Sequence, residues 1–446
     1  MSYQHRLAGF LCNLHLQQHN VLLSLVMRVL ISGAGIAGPT LAFFLARTGA
    51  RIHVLEKSAS LLPHGQNVDI TGSAIAIVRK MGLLDELRRW NTREKGTHFV
   101  DPSGKPFAYF PATYGARGPS MTSEFEILRS DLAKVLYEAT KEDANITYSL
   151  GTTITDVIAN KDQSVTVQLS NGQREEYDLL VAADGQWSRI RKMCFPPESI
   201  TVVDKGMYAV YFTIPRLPAD DDWWNVYNAI GSKIITIRPD PHGTVRAMFT
   251  HMPSNDKQKN IWERAARSDR KVQQDLIRQE FSDAGWQARR ILDAMDQAPD
   301  FYFQPLKQIK MSKWHTGRVV CLGDAAFAPT PLSGIGTSLA IDGAYALAGE
   351  LSKLADQEHP SAALEAYEKV FRPFVEEMQP APSWIAAAFH PNTGLTRWIF
   401  QSLISTFSRI VAIPWVRNKF TEEDREDFKL PQYSRLDAAS LDKRSR

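Results

Sequence analysis

One short stretch constrains this chain more than any other. Arg28-Val-Leu-Ile-Ser32 reads as a short buried strand, and Gly33-Ala34-Gly35-Ile36-Ala37-Gly38 follows at once, running into PTLAFFLARTG. A G-x-G-x-x-G turn between a strand and a helix has one physical use above others. Gly33 permits the tight turn, Gly35 lets a pyrophosphate approach the backbone, and Gly38 lets the helix lie close to the sheet. The free N–H groups and the positive dipole end of that helix then hold phosphate. Pro39 falls in the first turn, where no intrahelical donor is needed, and Gly49 is expected to cap the helix C-terminus. Residues 51–56 (RIHVLE) form a second strand that ends in an acid. Glu56 lies 23 residues after Gly33, where a carboxylate meets an adenosine ribose, and Lys57 follows it. This unit binds an ADP moiety and leaves NAD and FAD both open.

Two later elements narrow the choice. Residues 178–183 (DLLVAA) are a near-continuous apolar run of the kind a parallel sheet buries. They lead into Asp184-Gly185 and then Gln186-Trp187-Ser188-Arg189-Ile190-Arg191. Residues 317–322 (GRVVCL) form another such strand, ending in Gly323-Asp324-Ala325-Ala326. A Gly/Pro-rich loop comes next, with Pro329, Pro331, Ser333, Gly334, Gly336 and Thr337, and then a helix from about Ser338. Asp324 at a strand end can accept hydrogen bonds from the hydroxyls of a ribityl chain. The loop lets backbone approach a flat ring, and the helix start aims its dipole at that ring. A reduced flavin is negative at its pyrimidine end and is stabilised there. An NAD dehydrogenase has no use for this distant second element.

Taken together, these motifs resemble the FAD-dependent class A monooxygenases, the p-hydroxybenzoate hydroxylase family, which includes tetracycline-inactivating oxygenases. The resemblance runs from about Arg28 to Gly349. Gly33, Gly35, Ala37, Gly38, Glu56 and Lys57 match the ADP-binding unit, and Asp184-Gly185 with Ser188 and Arg191 match a motif associated with FAD and NADPH. Asp324, Pro331, Gly334, Gly336 and Thr337 match the loop around the ribityl chain and isoalloxazine. Arg129, in Glu126-Ile-Leu-Arg129-Ser-Asp131, matches an arginine that approaches the FAD, although a salt bridge to Asp131 or Glu126 would equally explain it. Asp69 falls where the family lines flavin and substrate; a solvated loop acid is its plain reading. Phe327 stands where the family commonly has His, and Ser338 where many members have Asn.

The resemblance implies an α/β fold: a glutathione-reductase-like Rossmann FAD-binding domain, an inserted antiparallel β-sheet substrate domain and C-terminal helices. Residues 28–75, 120–198 and 305–380 would form the first, 76–119 and 199–304 the second, and 381–446 the C-terminal region, after an extension at 1–27. Residues 207–214, 232–239 and 244–250 alternate like antiparallel strands. Tyr208, Tyr211, Arg238, Arg246 and His251 are candidates for a face over the flavin, with Tyr211, Arg238 and Asp69 named for substrate. Residues 254–296 read as charged outer helices, and 394–416 as an amphipathic helix that packs on the domain or meets a membrane surface or a second subunit.

Composition supplies the exclusions. With 44% apolar and 23% charged residues the chain is an ordinary globular protein, and a net charge of +3 gives no argument for nucleic acid. Cys12, Cys194 and Cys321 are few and scattered, which fits a reducing, cytoplasmic setting. Residues 1–27 make a poor signal peptide, Met27 could itself be the start, and no run reaches the ~18 apolar residues of a membrane span. The 11 histidines show no metal-binding pattern, and no nucleophile elbow is present, so no metal and no catalytic side chain is assigned. The chemistry belongs to the cofactor. NADPH or NADH would reduce FAD, and a flavin hydroperoxide formed with O₂ would hydroxylate or epoxidise a small aromatic or polyketide-like secondary metabolite. A flavin oxidase or dehydrogenase, a halogenase (whose W-x-W-x-I-P motif is missing) and a non-redox cyclase or binding protein are the rivals. Oligomeric state is left open.

Overall fold

The computed structural model describes residues 26–61, 65–112, 122–355, 358–380, 382–413 and 428–437. Expectations for the rest of the 1–27 extension, for residues 414–416 and for most of the C-terminal tail lie outside them.

The apolar runs found in the sequence meet in one sheet. Its six strands lie in the order His315–Thr316, Val319–Cys321, Leu179–Ala182, Arg28–Ser32, Arg51–Glu56, Ile146–Leu150. All pairings are parallel except the hairpin at the His315 edge. Strands such as VLIS and LLVA suit this place because both faces are covered. The helix Ala37–Ala46 is buried all round, as its composition requires. It packs on the helix Gly336–Leu351, where Phe44 meets Tyr345 edge-on at 5.1 Å. Gly49 lies in the turn just after this helix with φ +85°.

A second, seven-stranded sheet stands apart. Its order is Tyr302–Met311, Ile200–Pro215, Thr244–His251, Lys233–Pro239, Trp224–Ala229, Gly96–Val100, Pro106–Pro111. Period-two alternation divides its side chains. One face carries Val210, Phe212, Phe249, Ile235 and Tyr227, which bury themselves against Trp262, Ile277, Phe281 and Met295 of three helices, Asp256–Ala265, Arg270–Phe281 and Ala288–Met295. Two of these helices start at side-chain caps: Asn255 accepts from the Gln258 amide and Asp269 from the Val272 amide. The opposite face carries Tyr211, Met248 and Thr236 in register, with Thr213, Arg246 and Arg238 one step along.

This alternation corrects two expectations. Tyr208 and His251 do not share the face of Tyr211, Arg238 and Arg246 but point the other way. Tyr208 packs on Trp262 and Phe303, and His251 stacks on Trp262 at 4.7 Å. Residues an odd number apart on a strand face opposite ways, so 208 and 211, or 246 and 251, cannot share a face.

The helix Gly394–Val411 opens with a Thr393/Thr396 capping box. Phe400 and Ile404 on its inner side join Phe99, Phe110, Val226 and Ile234 of the second sheet.

Candidate active site

The glycine turn is built by steric necessity. Gly33 has φ +115°, and a Cβ there would lie 2.3 Å from the Ala183 carbonyl oxygen. A Cβ on Gly38 would lie 2.0 Å from the Gly33 carbonyl oxygen. No side chain tolerates either distance, so the turn, the Asp184 strand end and the helix press together only with glycine. Ala37 packs against the Gly323 turn in turn, since a Cβ on Gly323 would come within 3.2 Å of the Ala37 Cβ. Glu56 folds back on this corner, accepting from the Ala34 amide at 3.1 Å and the Ser58 amide at 3.0 Å. Lys57 beside it is exposed.

Arg129 lies across the same corner. It opens the helix Arg129–Glu138, its amide donates to the Gln66 carbonyl at 2.9 Å, and its Nη2 would be 3.5 Å from a Cβ on Gly35. Its two alternative partners are taken elsewhere. Asp131 meets His242 at 2.9 Å, and Glu126 meets Arg238.

The other motifs converge here. Asp184 accepts from the Arg189 amide at 2.9 Å through Oδ2, while Oδ1 is buried without a hydrogen-bond partner. Gly185 follows with φ +80°. Ser188 caps the helix Arg189–Cys194, accepting from the Arg191 amide at 3.0 Å. Arg191, almost fully buried, then donates to the carbonyls of Gln186 and Ala325, both at 2.7 Å. The arginine thus ties the second motif to the third. Asp324 opens onto the cleft. The protein crowding around it raises its carboxyl pKa, against the pull of Arg129 and Arg191. Pro331 starts a short 3-10 turn, Gly334 has φ +68°, and Gly336 begins the long helix, where a Cβ would lie 3.8 Å from Asp324 Oδ1. Thr337 is buried in its first turn. Ser338 accepts from the Thr71 amide at 3.0 Å, so the serine fastens the loop after Asp69 to this helix start. Phe327 is plain core, packed on Trp314 and Phe371.

Neither the helix Ala37–Ala46 nor the helix Gly336–Leu351 has a side-chain cap or a first-turn acid. Their first amides are left for an anion, and Asp184 offers an unused buried acceptor. The residues present therefore fit a dinucleotide with a phosphate end and a polar chain.

Over this corner stands the inner face of the second sheet. Tyr302 is half-exposed and interacts with Arg129, Asp324 and Trp187. Tyr211 lies opposite Tyr302 in register, and burial pushes its phenol pKa up to about 12. Further along is a cluster the sequence did not reveal. Arg238 donates from Nε and Nη2 to both oxygens of Glu94, at 2.8 and 3.0 Å, and from Nη2 also to Glu126, with its guanidinium 4.1 Å from the Trp224 ring centroid. Asp69 sits in the same field, accepting from the Ser123 hydroxyl at 2.8 Å. Burial lowers the Arg238 pKa, but Glu126 and Glu94 outweigh it and the net shift is upward. Burial drives Glu126 well above the usual carboxylate range; Arg238 opposes this, and Glu94 and Asp69 add to it. Asp69 is also raised by burial, against Arg238. Arg246 on this face is spent on Asp240 and Asp300, at 3.1 and 2.7 Å. Among the sequence candidates, Asp69, Tyr211 and Arg238 thus come together. Glu94, Tyr302 and Trp187 were missed, although strict alternation would have placed Tyr302 and Tyr211 on faces worth comparing.

Two uncapped helix starts, a glycine corner and a polar strand-end motif define a dinucleotide-binding flavoprotein site. Comparison with known proteins agrees. The model of the FAD binding domain family matches residues 26–380, so the chain belongs to that family and is a flavin-dependent monooxygenase. It is 32% identical over 430 residues to the FAD-dependent monooxygenase asL6 of Sarocladium schorii, covering 93% of this chain and 99% of the relative. It is 37% identical to the monooxygenase CTB7 of Cercospora beticola, covering 80% and 85% of the two chains. Its structure is similar to that of the tetracycline destructase Tet(55), with a TM-score of 0.74 at 30% identity, covering 92% and 99%.

Proposed function

We propose that this chain is an NAD(P)H-dependent monooxygenase that hydroxylates or epoxidises a small aromatic or polyketide-like secondary metabolite. The observation that carries the reading is the convergence of the three motifs at one corner, where Arg129 lies beside Gly35 and Asp324 and the Asp184 strand end presses on Gly33, beneath the polar inner face of the sheet. When bound, FAD supplies the redox and oxygen-activating chemistry. In this reading the 28–75, 120–198 and 305–380 segments form a Rossmann, glutathione-reductase-like cofactor domain, and 76–119 with 199–304 form the substrate domain.

Gly33, Gly35, Ala37 and Gly38, with Arg129, hold the pyrophosphate, while Glu56 and Lys57 meet the adenosine side. Asp184 and Gly185 flank the cofactor chain, and Asp324 accepts from ribityl hydroxyls. Pro331, Gly334, Gly336 and Thr337 would hold the flavin ring, and the uncapped helix start would stabilise negative charge on it. Tyr211, Arg238 and Asp69 orient the substrate and help exclude water. Glu94 neutralises Arg238 and Glu126 accepts a further hydrogen bond from it, so this part of the pocket favours a neutral substrate over an anion.

The test is the visible spectrum of the purified protein before and after anaerobic NADPH, followed by turnover under labelled O₂. A flavin spectrum that bleaches faster with substrate, and label in the product, is the expected result. A flavin that NADPH and NADH leave oxidised with every candidate substrate would overturn the reading.

A further inference from the structure

The helix Gly394–Val411 breaks the usual rule for a surface helix. Its inner side is apolar and packed: Phe400 lies 5.9 Å from Phe99 and 5.3 Å from Phe389, and the Ser405 hydroxyl donates to the Phe107 carbonyl at 3.1 Å. Its outer side should then be polar. Instead Leu395, Trp398 and Leu403 are 67%, 65% and 66% exposed, with Ile399, Ile410 and then Ile413 also open to solvent. Spacings of three, four and seven put these side chains on one stripe. An apolar stripe on a fixed helix marks a place where something else binds.

Charge and shape narrow the occupant. Between Pro382 and Ile413 the sequence holds no Asp, Glu or Lys, and two arginines. Arg397 turns inward to the Tyr227 hydroxyl at 3.4 Å, and Arg409 is exposed on the flank of the stripe. The helix itself carries no acid to repel an anionic surface. The 18-residue helix is about 27 Å long, so its outer face offers a footprint of roughly 300 Å². A stable subunit interface needs about 800 Å² per partner. Among the described residues no helix is long and apolar enough to cross a membrane. A stripe of aliphatic side chains with a tryptophan and a flanking arginine suits a helix lying in the plane of a lipid interface.

We propose that the outer face of the helix Gly394–Val411 docks this protein on an anionic membrane surface, with Leu395, Trp398, Ile399, Leu403 and Ile410 entering the interface and Arg409 meeting lipid headgroups. The inner side of the same helix is anchored in the second sheet, so docking would hold the substrate domain at the membrane.

The test uses the full-length, flavin-loaded protein with vesicles of phosphatidylcholine and phosphatidylserine. The protein co-sediments with them, and does so several-fold less with phosphatidylcholine alone. The Trp398→Glu/Leu403→Glu variant keeps its flavin spectrum and loses at least ten-fold in partitioning. If that variant fails to fold, quenching of tryptophan emission by brominated lipid, diminished in Trp398→Phe, reads the same contact. Absence of co-sedimentation by the wild type, or partitioning and quenching that these substitutions leave unchanged, overturns the proposal. So does a dimer in solution that the double substitution splits, which would assign the stripe to a second copy.

Discussion

Glu126 allows the buried charge cluster to be tested by a single-atom change. Three carboxylates, Asp69, Glu94 and Glu126, face the one guanidinium of Arg238, and burial holds the Glu126 pKa well above the ordinary value. Its Oε1 accepts from Arg238 and from the Asn67 amide, the latter at 2.8 Å, while Oε2 is buried without a partner. A proton on Oε2 explains that arrangement. Glu126→Gln then preserves shape, charge and the accepting oxygen, and costs under about 1 kcal/mol below about pH 4, where folded and unfolded chains both keep the proton. Arg238→Met strands the carboxylates and costs about 3–5 kcal/mol. The pH dependence has a defined sign. The folded protein keeps a proton that the unfolded chain releases above its pKa of about 4.3. The Glu126 contribution to stability therefore falls as pH rises above that value, by about 1.4 kcal/mol per unit, until Glu126 itself ionises. The Gln variant lacks this loss, so its stability relative to wild type should improve between pH 5 and pH 8. Denaturant unfolding of the flavin-loaded proteins at both pH values measures it. A Gln variant that is 3 kcal/mol less stable than wild type at pH 8 would show an ionised Glu126 and refute the reasoning.

Three other outcomes follow from the geometry. Gly38→Val places methyl groups where even a Cβ lies 2.0 Å from the Gly33 carbonyl oxygen, a backbone atom that cannot move aside, so the purified protein should carry little or no FAD by its visible absorbance. Ser338→Ala removes the tie to Thr71 at about 1 kcal/mol, which should speed proteolysis of the 65–72 loop while flavin content holds. His251 and His390 are buried with pKa values lowered to about 4, chiefly by burial. The unfolded chain binds their protons first, so stability is lost as pH falls from about 6.5 towards 4, by about 2 kcal/mol per histidine at pH 5. His251→Phe should remove its share, read as a smaller drop in unfolding midpoint between pH 7 and pH 5.

Much of the cofactor corner is legible in the chain alone. A strand, a glycine turn and a helix are local, and Gly33 and Gly38 have no alternative at their positions. The same holds for the apolar strands ending in Asp184 and Asp324, because a doubly covered parallel strand writes itself as an unbroken apolar run. Even the apolar character of residues 394–416 could be read directly. What could not be read was which side of that helix met the protein, and that its free side was apolar as well.

Local chemistry is written in the chain: which turns must hold glycine, which strands are buried, and which helix starts stand open to an anion. The meetings between distant segments arise from the packing of the whole fold. Glu94, Glu126 and Arg238 lie far apart in the chain and look like ordinary surface charges until the antiparallel pair Asn67–Asp69 and Glu126–Leu128 and the second sheet close on them. Their burial is the sum of contacts from several elements, and no local pattern encodes it. The placing of Tyr208 and His251 shows the boundary between the two. Alternation along a strand separates the faces from sequence alone, but which face turns to the helices and which to the cofactor corner is fixed by what packs there.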